Sequence, residues 1–248
     1  MVFHMDHGFW KKIEITARSV LFNLIQLVST VFFGLLCPLT WPLPFPVRHW
    51  VATLWVRLNL WCLEKICLLT YRIEGKENIP KTVGVVASKH ESAWETLILQ
   101  AIFRPQAWVL KRELLRIPFL GWALWVLEPI AIDRKSTHKA LKQVVEQGRE
   151  HLDAGVWVTI FPEGTRTAPG EEGTYFSGGA LLAKRTGRFV LPVAHNAGSF
   201  WPRRGFIKKP GTIQLVIGPP IASEGRSAAR INELTREWIE KTMERIRQ

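Results

Sequence analysis

The chain has 248 residues, 47% of them hydrophobic, and its 33 Lys and Arg against 21 Asp and Glu give a formal net charge of +12. With a mean hydropathy of +0.05, this composition excludes both a disordered chain and a polytopic transporter. The basic excess predicts an anionic partner: nucleic acid, an acidic membrane surface, a phosphorylated substrate or an acidic carrier. The three cysteines, Cys37, Cys62 and Cys67, form neither a C-x-x-C pair nor a zinc framework, so we expect a reduced, cytosol-facing protein.

The N-terminal region contains an apolar segment of bilayer length. Ser19 to Leu39 is a run of 21 residues without a charged side chain, which approaches the thickness of a hydrocarbon core. A cleaved signal peptide has a shorter apolar stretch and a small-residue cleavage site, so cleavage is not expected. The alternative to a membrane segment is a buried core helix, and the length of the uncharged run favours the membrane.

A second apolar segment follows, from Trp50 to Tyr71, after a proline-rich stretch that forbids a continuous helix. We therefore predict a helical hairpin over residues 1–70. Basic residues lie before the hairpin and after it, so both ends should face the same, cytoplasmic side. Tryptophans around the hairpin suit the headgroup level of a membrane. The pattern does not decide whether the hairpin spans the bilayer or dips into one leaflet.

Residues 71–248 show short β-branched runs between helical stretches, the pattern of an α/β domain. The predicted fold is a mixed β-sheet flanked by helices and preceded by the membrane-associated hairpin. The strands are predicted at Val83–Ala87, Ala107–Leu110, Ile130–Ile132, Val156–Phe161, Phe189–Ala194 and Thr212–Ile217. The helices are predicted at Ser92–Phe103, Thr137–Ala154, Gly178–Thr186 and Ser227–Arg247.

One candidate site begins where a buried strand is predicted to end, at S-K-H-E-S-A-W-E, residues 88–95. Functional groups of α/β folds usually lie at such positions. A histidine there can act as a general base, and Glu95 could reach back to His90 and fix its tautomer. Alternatively, Ser92 to Glu95 matches the capping box S-x-x-E, in which the carboxylate binds backbone N–H groups.

Two further segments carry charged groups. F-P-E-G-T-R, residues 161–166, follows the clearest strand, and its proline and glycine predict a tight turn that presents Glu163, Thr165 and Arg166. An arginine suits a phosphate because its planar fork donates two hydrogen bonds at once. From Lys111 to Arg134, basic residues alternate with large apolar ones, as in a surface for a phosphate beside an acyl chain or in an amphipathic helix.

These segments together resemble the glycerolipid acyltransferase family, in particular its bacterial members that acylate lysophosphatidic acid. H-x-x-x-x-E at residues 90–95, P-I-A-I-D-R ending at Arg134, F-P-E-G-T-R at 161–166 and V-L-P-V at 190–193 stand in the order and approximate spacing of the family's four sequence blocks. The resemblance covers residues 71–220. One block alone would be weak evidence, whereas four in order are strong.

The resemblance implies transfer of a fatty acyl group from a thioester, on acyl-CoA or acyl carrier protein, to the free hydroxyl of lysophosphatidic acid, giving phosphatidic acid. Carried over residue by residue, His90 is the base and Glu95 orients it. Arg134 and Arg166 match the acceptor-binding positions. Glu163, Gly164 and Thr165 belong to the same substrate-binding loop, and Pro192 falls in the fourth block. Because a thioester is already activated, neither a cofactor nor a metal is expected.

Two positions depart from the family's pattern. Glu95 stands where an aspartate is usual, which adds a methylene and alters the reach to His90. Glu128 stands where a glycine often precedes the second block, which puts a carboxylate near the expected phosphate site.

The sequence lacks the motifs of several other common functions. Phosphate loops, dinucleotide fingerprints, nucleophile elbows and H-E-x-x-H helices do not occur in the sequence. A nucleic-acid partner is not expected, because no recognition signature accompanies the basic residues. The alternatives are an acyltransferase for a different lysophospholipid or hydroxylated lipid, and a non-catalytic lipid-binding membrane protein. The expected partners are membrane lipid, the lysophospholipid acceptor and the acyl donor, at a bacterial inner membrane with the catalytic domain facing the cytoplasm.

Overall fold

The computed structural model describes residues 7–133 and 136–247, with the side chains of His7 and Thr137 excepted. Seven strands form one sheet in the order β1-β7-β6-β2-β5-β3-β4 within these ranges. The strands are β1 Leu69–Glu74, β2 Val85–Ser88, β3 Gln106–Lys111, β4 Ile130–Ile132, β5 Trp157–Ile160, β6 Val190–His195 and β7 Gly211–Ile217. The helices are α1 His7–Leu39, α2 Phe45–Cys67, α3 Trp94–Ile102, α4 Leu120–Val126, α5 Thr137–Asp153, α6 Gly178–Thr186 and α7 Ala228–Ile246.

The sheet is mixed, as predicted. β6 and β7 pair antiparallel, and the other neighbouring strands pair parallel. The six predicted strands and four predicted helices of residues 71–248 all occur, with ends displaced by a few residues. Because β2, β5 and β6 run parallel, the loops that follow them leave the sheet at the same edge. That edge receives the two motifs at residues 88–95 and 161–166.

The N-terminal helices form the predicted hairpin, with α1 packed against α2 and joined to it through the proline-rich turn. α2 begins and ends several residues earlier than the predicted apolar segment, Trp50 to Tyr71, which was wrong at its C-terminal end. Leu68 adopts a left-handed conformation with φ 52°, and the chain from Leu69 enters β1, which pairs with β7. The residues of β1, L-T-Y-R-I-E, alternate apolar and polar side chains, but the first three were assigned to the second apolar segment, so β1 was not predicted.

The hairpin shares an apolar core with the sheet. Phe22 of α1 and Val56 and Leu63 of α2 are buried in the same cluster as Leu99 of α3 and Leu215 of β7. The division of the chain into residues 1–70 and 71–248 stays a prediction. Contiguous packing of this kind means that removal of the hairpin would expose core side chains of the α/β part.

Of the described helices, only α1 is long and apolar enough, over Gly8–Leu39, to cross a bilayer. Just 22% of its most apolar window is buried within the protein. Its outward stripe of large apolar side chains includes Leu21, Leu24, Val28, Phe32 and Leu35. A stripe of this size on one helix favours contact with a membrane over contact with water.

The segment between β3 and β4 differs from the amphipathic helix considered for it. Arg112–Arg116 forms a 3-10 helix, and α4 follows after Pro118. α4 packs against α1, where Gly34 allows the backbone of Phe119 to approach. This segment therefore covers one side of the space between α1 and the sheet.

Candidate active site

The carboxyl ends of β2 and β5 bring His90 and Phe161 together. Their rings stack with centroids 3.9 Å apart and an interplanar angle of 13°. The backbone N–H of His90 donates to Oε2 of Glu163 at 2.8 Å, and its carbonyl accepts from the N–H of Thr167 at 2.8 Å. The imidazole is thus held by ring stacking and by two backbone hydrogen bonds to the neighbouring loop.

Glu95 orients this imidazole. Its Oε1 lies 2.7 Å from Nδ1 of His90 and also accepts the backbone N–H of Ser92 at 2.9 Å. Both contacts considered for Glu95 therefore occur together, because a single oxygen accepts the N–H of Ser92 at the start of α3 and contacts the histidine. The longer side chain of glutamate does not prevent the contact.

The electrostatics of the pair leave Nε2 of His90 available. Burial alone raises the pKa of Glu95, but His195, the hydrogen bond and charge of His90 and the N–H of Ser92 outweigh it, so the pKa lies below its usual value. An ionised carboxylate accepts a hydrogen bond and cannot donate one. In the neutral imidazole of His90, Nδ1 therefore carries the proton, and Nε2 has the lone pair that a general base needs.

The F-P-E-G-T-R loop holds the backbone of His90 and also contributes to the lining of the cavity beside it. Glu163 is buried, and its carboxylate binds Nζ of Lys89 at 2.6 Å as well as the N–H of His90. Gly164 has φ +67°, and its Cα faces the ring of Phe176. Thr165 is exposed. Of the predicted substrate-binding residues in this loop, Arg166 lines the same cavity as His90, whereas Glu163 holds the loop and does not line that cavity.

Lys89 is the centre of a buried ionic cluster behind the site. Besides Glu163, its Nζ contacts Oε1 of Glu240 on α7 at 2.9 Å, and that oxygen also accepts from the hydroxyl of Tyr175 at 2.7 Å. Lys89 is fully buried, and a buried charge needs partners of opposite sign to remain ionised. This cluster ties the C-terminal helix to the residue that precedes His90.

A cavity of about 490 Å³ opens from His90 into the space enclosed by α1, α2, α3 and the segment before β4. Its lining is mostly apolar and includes Leu27, Leu97, Leu114, Leu120 and Leu124. Arg166 lies on the same lining, and its Nε is buried without a hydrogen-bond partner among the described residues. The cavity thus places an imidazole base, a guanidinium with unused donors and a long apolar wall around one space.

Two other positions singled out in the sequence have different outcomes. Arg134, the other predicted acceptor-binding residue, lies outside the described residues. Glu128 pairs with Arg48 of α2 at 2.7 Å, so its carboxylate is engaged with the hairpin.

The three cysteines are free and buried. No group of three or more His, Cys, Asp or Glu side chains that could hold a metal occurs in the ranges 7–133 and 136–247.

His195 is a site residue that the sequence did not single out. It ends β6, is fully buried, and its Nε2 lies 3.8 Å from Oε2 of Glu95. The available signal was a histidine at the carboxyl end of a predicted strand that neighbours the strand before His90. Sequence order alone does not make β6 a neighbour of β2, so this signal required the sheet order.

Comparison with known proteins agrees with this geometry. The acyltransferase family model matches residues 70–196. A 1-acyl-sn-glycerol-3-phosphate acyltransferase of Pseudomonas aeruginosa is 47% identical over 234 residues, covering 92% of this chain and 91% of that protein. A protein of the same name from Borreliella burgdorferi is 29% identical over 198 residues, 77% of each chain.

The crystal structure of a 1-acyl-sn-glycerophosphate acyltransferase from Thermotoga maritima superposes with a TM-score of 0.79 at 23% identity, covering 95% of this chain and 97% of that one. This likeness shows the fold. Both the fold class and the family predicted from the four sequence blocks are confirmed. The chain belongs to the acyltransferase family.

Proposed function

We propose that this chain transfers a fatty acyl group from an acyl thioester to the free hydroxyl of 1-acyl-sn-glycerol 3-phosphate, which gives phosphatidic acid. The observation that carries the proposal is the His90–Glu95 pair at the mouth of an apolar cavity whose lining also contains Arg166. The name of the Pseudomonas aeruginosa relative, 47% identical over most of both chains, supports this acceptor.

The chemistry follows from the state of His90. Nε2 takes the proton of the acceptor hydroxyl as its oxygen attacks the thioester carbonyl carbon, which forms the new C–O bond. The C–S bond then breaks, and the imidazolium returns the proton to the leaving sulfur. Glu95 holds the imidazole in the correct tautomer and stabilises its positive charge. No electron donor or acceptor is required, since an ester replaces a thioester.

The phosphate of the acceptor is assigned to Arg166. Its partly buried side chain lines the cavity, and its guanidinium forms no ion pair with any residue that the structure describes. Charge-assisted hydrogen bonds to phosphate are stronger than neutral ones. Arg134 remains a proposed second ligand on the strength of its sequence block. Gly164 and Thr165 are proposed to shape the mouth of this pocket, and Glu163 to hold it in place.

The acyl donor is proposed to be either acyl-CoA or acyl carrier protein, both of which are anionic and suit a chain of net charge +12. We further propose that α1 and α2 hold the protein at a bacterial inner membrane with the sheet on the cytoplasmic side. The exposed apolar stripe of α1 and the exposed tryptophans Trp41, Trp50, Trp61, Trp122 and Trp125 support this placement.

The experiment is transfer of a labelled acyl group to 1-acyl-sn-glycerol 3-phosphate by membranes that contain the wild type or His90→Ala, with the two donors assayed separately. We expect phosphatidic acid from the wild type and a rate about 10³-fold lower from His90→Ala. The matched control is His138→Ala, since His138 is exposed on α5. Equal rates in wild type and His90→Ala would contradict the assigned base. No product from folded wild type would contradict the acceptor.

A further inference from the structure

A polar subsite lies inside the apolar cavity, away from the His90–Glu95 pair. Ala93, Thr96, Leu97 and Gln100 all line the cavity and are spaced so that they share one face of α3. Of the four, Gln100 is the furthest along α3 from the end of the helix that lies beside His90. It lies seven positions after Ala93, which corresponds to about 10 Å of helix rise.

Gln100 is a buried polar side chain without a partner. It is 6% exposed, and its amide forms no hydrogen bond to any residue that the structure describes. Two other polar side chains on the same lining have partners: Asn23 binds Nζ of Lys208 at 2.6 Å, and the Thr96 hydroxyl donates to the carbonyl of Ala93 at 2.6 Å. Buried polar groups are almost always paired, so an unpaired amide on a cavity wall calls for a ligand.

Trp55 of α2 adds a second unused donor on the lining of the same cavity. Its indole Nε1 is buried and lacks a hydrogen-bond partner in residues 7–133 and 136–247. Trp55 and Gln100 both line the main cavity and also a narrow extension of about 50 Å³ that continues between α1, α2 and α4. The two residues therefore flank the point at which the main cavity passes into its extension.

A plain alkyl chain cannot satisfy this pair. The walls around it are apolar, with Phe33, Cys37, Leu124 and Leu127 lining the extension. An alkyl chain that passes Gln100 and Trp55 excludes water and leaves their N–H groups unpaired. A chain that carries a hydroxyl at that depth offers an oxygen that accepts from both donors, and the amide oxygen of Gln100 can accept the hydroxyl proton.

We propose that Gln100 and Trp55 form a subsite that binds a hydroxyl group carried part-way along a fatty chain. The inference rests on the proposed function, because that function supplies the fatty chain. Two lipids could bring the hydroxyl: the acyl chain of the donor, or the chain already present on the acceptor. Both present the same chemistry to the subsite, and separate arms of the test distinguish them.

The test compares kcat/KM for matched lipids with and without a mid-chain hydroxyl. In one arm the donor is stearoyl-CoA or a series of hydroxystearoyl-CoAs with the hydroxyl at successive mid-chain positions, and the acceptor is plain. In the other arm the donor is plain and the acceptor's own chain carries the hydroxyl. Because an unpaired buried donor costs on the order of a fivefold to hundredfold loss, we expect about a tenfold preference for one hydroxyl position in one arm.

Gln100→Leu and Trp55→Phe keep the cavity apolar and close to its original volume while they remove the donors. We expect both variants to abolish the preference and Gln100→Leu to accelerate the plain chain. Gln26→Leu, an equivalent change on the α1 side of the same lining, should leave the preference intact. Melting temperatures of all variants report whether they fold.

Direct binding provides a readout that does not depend on turnover. The binding of stearate and hydroxystearates to wild type and Gln100→Leu, measured by calorimetry in detergent, should show the same preference and its loss. If wild type acylates plain lipids but shows no hydroxyl preference in either arm or in binding, the subsite holds only water and the inference is wrong. If acylation itself fails while the hydroxyl preference persists in binding, the proposed function fails and the subsite stands.

Discussion

Glu95 lies between two imidazoles: its Oε1 is 2.7 Å from Nδ1 of His90, and its Oε2 is 3.8 Å from Nε2 of His195. Nδ1 of His195 accepts the backbone N–H of Ala197 at 3.3 Å, so the proton of His195 lies on Nε2, which donates to the carbonyl of Lys89 at 2.9 Å. Burial lowers the pKa of His195, so the ring is neutral near pH 7. The extra methylene of glutamate carries the carboxylate into this position.

Substitution of His195 should change the pH dependence of the reaction. Although its Nε2–H donates to the carbonyl of Lys89, His195 lies 3.8 Å from Oε2 of Glu95 and its electrostatic effect lowers the pKa of that carboxyl, so His195→Leu should raise the pKa of Glu95. A raised pKa keeps Glu95 protonated to a higher pH, and the acidic limb of the kcat/KM profile should move upward by about one pH unit. His195→Gln retains a donor and should move it less. If the acidic limb of the kcat/KM profile does not move in a folded His195→Leu variant, His195 contributes only to packing.

The two tasks of Glu95 can be separated by substitution. Glu95→Gln keeps an oxygen for the N–H of Ser92 but loses the charge that fixes the tautomer of His90. We expect kcat to fall by about 10²-fold, less than for His90→Ala, with little change in melting temperature. Glu95→Ala loses the cap as well and should cost about 1 kcal/mol of unfolding free energy. If kcat is unchanged in Glu95→Gln, Glu95 caps α3 and does not orient the imidazole of His90.

Arg166 should act mainly in the binding of the acceptor. Arg166→Ala removes the guanidinium that faces the cavity, so we expect the acceptor KM to rise by about tenfold to a hundredfold with a smaller change in kcat. The KM of the acyl donor should stay within twofold. Arg185→Ala, an exposed residue at the end of α6, is the matched control. A donor KM that rises instead would place the donor's phosphates at Arg166.

Glu91 couples stability to pH. Burial raises its pKa to about 7, although Arg247 and Lys89 oppose the shift. The folded state therefore holds a proton that the unfolded state has released, and this stabilisation is fully present below pH 4.5 and is lost as the pH rises through 7. The shift corresponds to an upper bound on the order of 3 kcal/mol. Relative to wild type, Glu91→Gln should gain stability as the pH rises from 5 to 8.

Urea denaturation in detergent at several pH values measures this effect. The informative quantity is the difference in unfolding free energy between Glu91→Gln and wild type, which removes contributions common to both proteins. A difference that stays constant from pH 5 to pH 8 would show that Glu91 is ionised throughout this range and that its ion pair with Arg247, at 3.4 Å, outweighs burial.

The apolar stripe of α1 should determine membrane binding. Val28 is 60% and Leu35 54% exposed, so Val28→Glu with Leu35→Glu introduces two charges without filling the core. A charge in hydrocarbon costs about 3 kcal/mol, and we expect the variant to move from the membrane to the soluble fraction after cell lysis. Lys184→Glu with Arg185→Glu, which changes two exposed side chains at the end of α6, should remain in the membrane. Unchanged sedimentation of the α1 variant would contradict contact between this stripe and lipid.

The sequence by itself determined the elements and the chemistry of the site. Patterns of period two and 3.6 residues, with glycines and prolines at their ends, are local properties, so six strands and the helices α3, α5, α6 and α7 were predictable, whereas β1 and α4 were not. His90, Glu95 and Arg166 lie in motifs whose order along the chain identifies the family. Even the ambiguity of Glu95 was visible in advance, because the capping box and the histidine contact are both short-range features.

Only the tertiary structure decided which distant residues share the site. His195 reaches Glu95 because β6 lies beside β2 in the sheet, and strand order is not encoded in the periodicity of any one strand. Glu163 proved to be a buried partner of Lys89 and not a cavity residue, since burial depends on α7 packing behind the loop. Gln100 and Trp55 belong to separate helices, and each reads as an ordinary helical residue until the packing of α2 against α3 leaves their polar groups unpaired in one cavity.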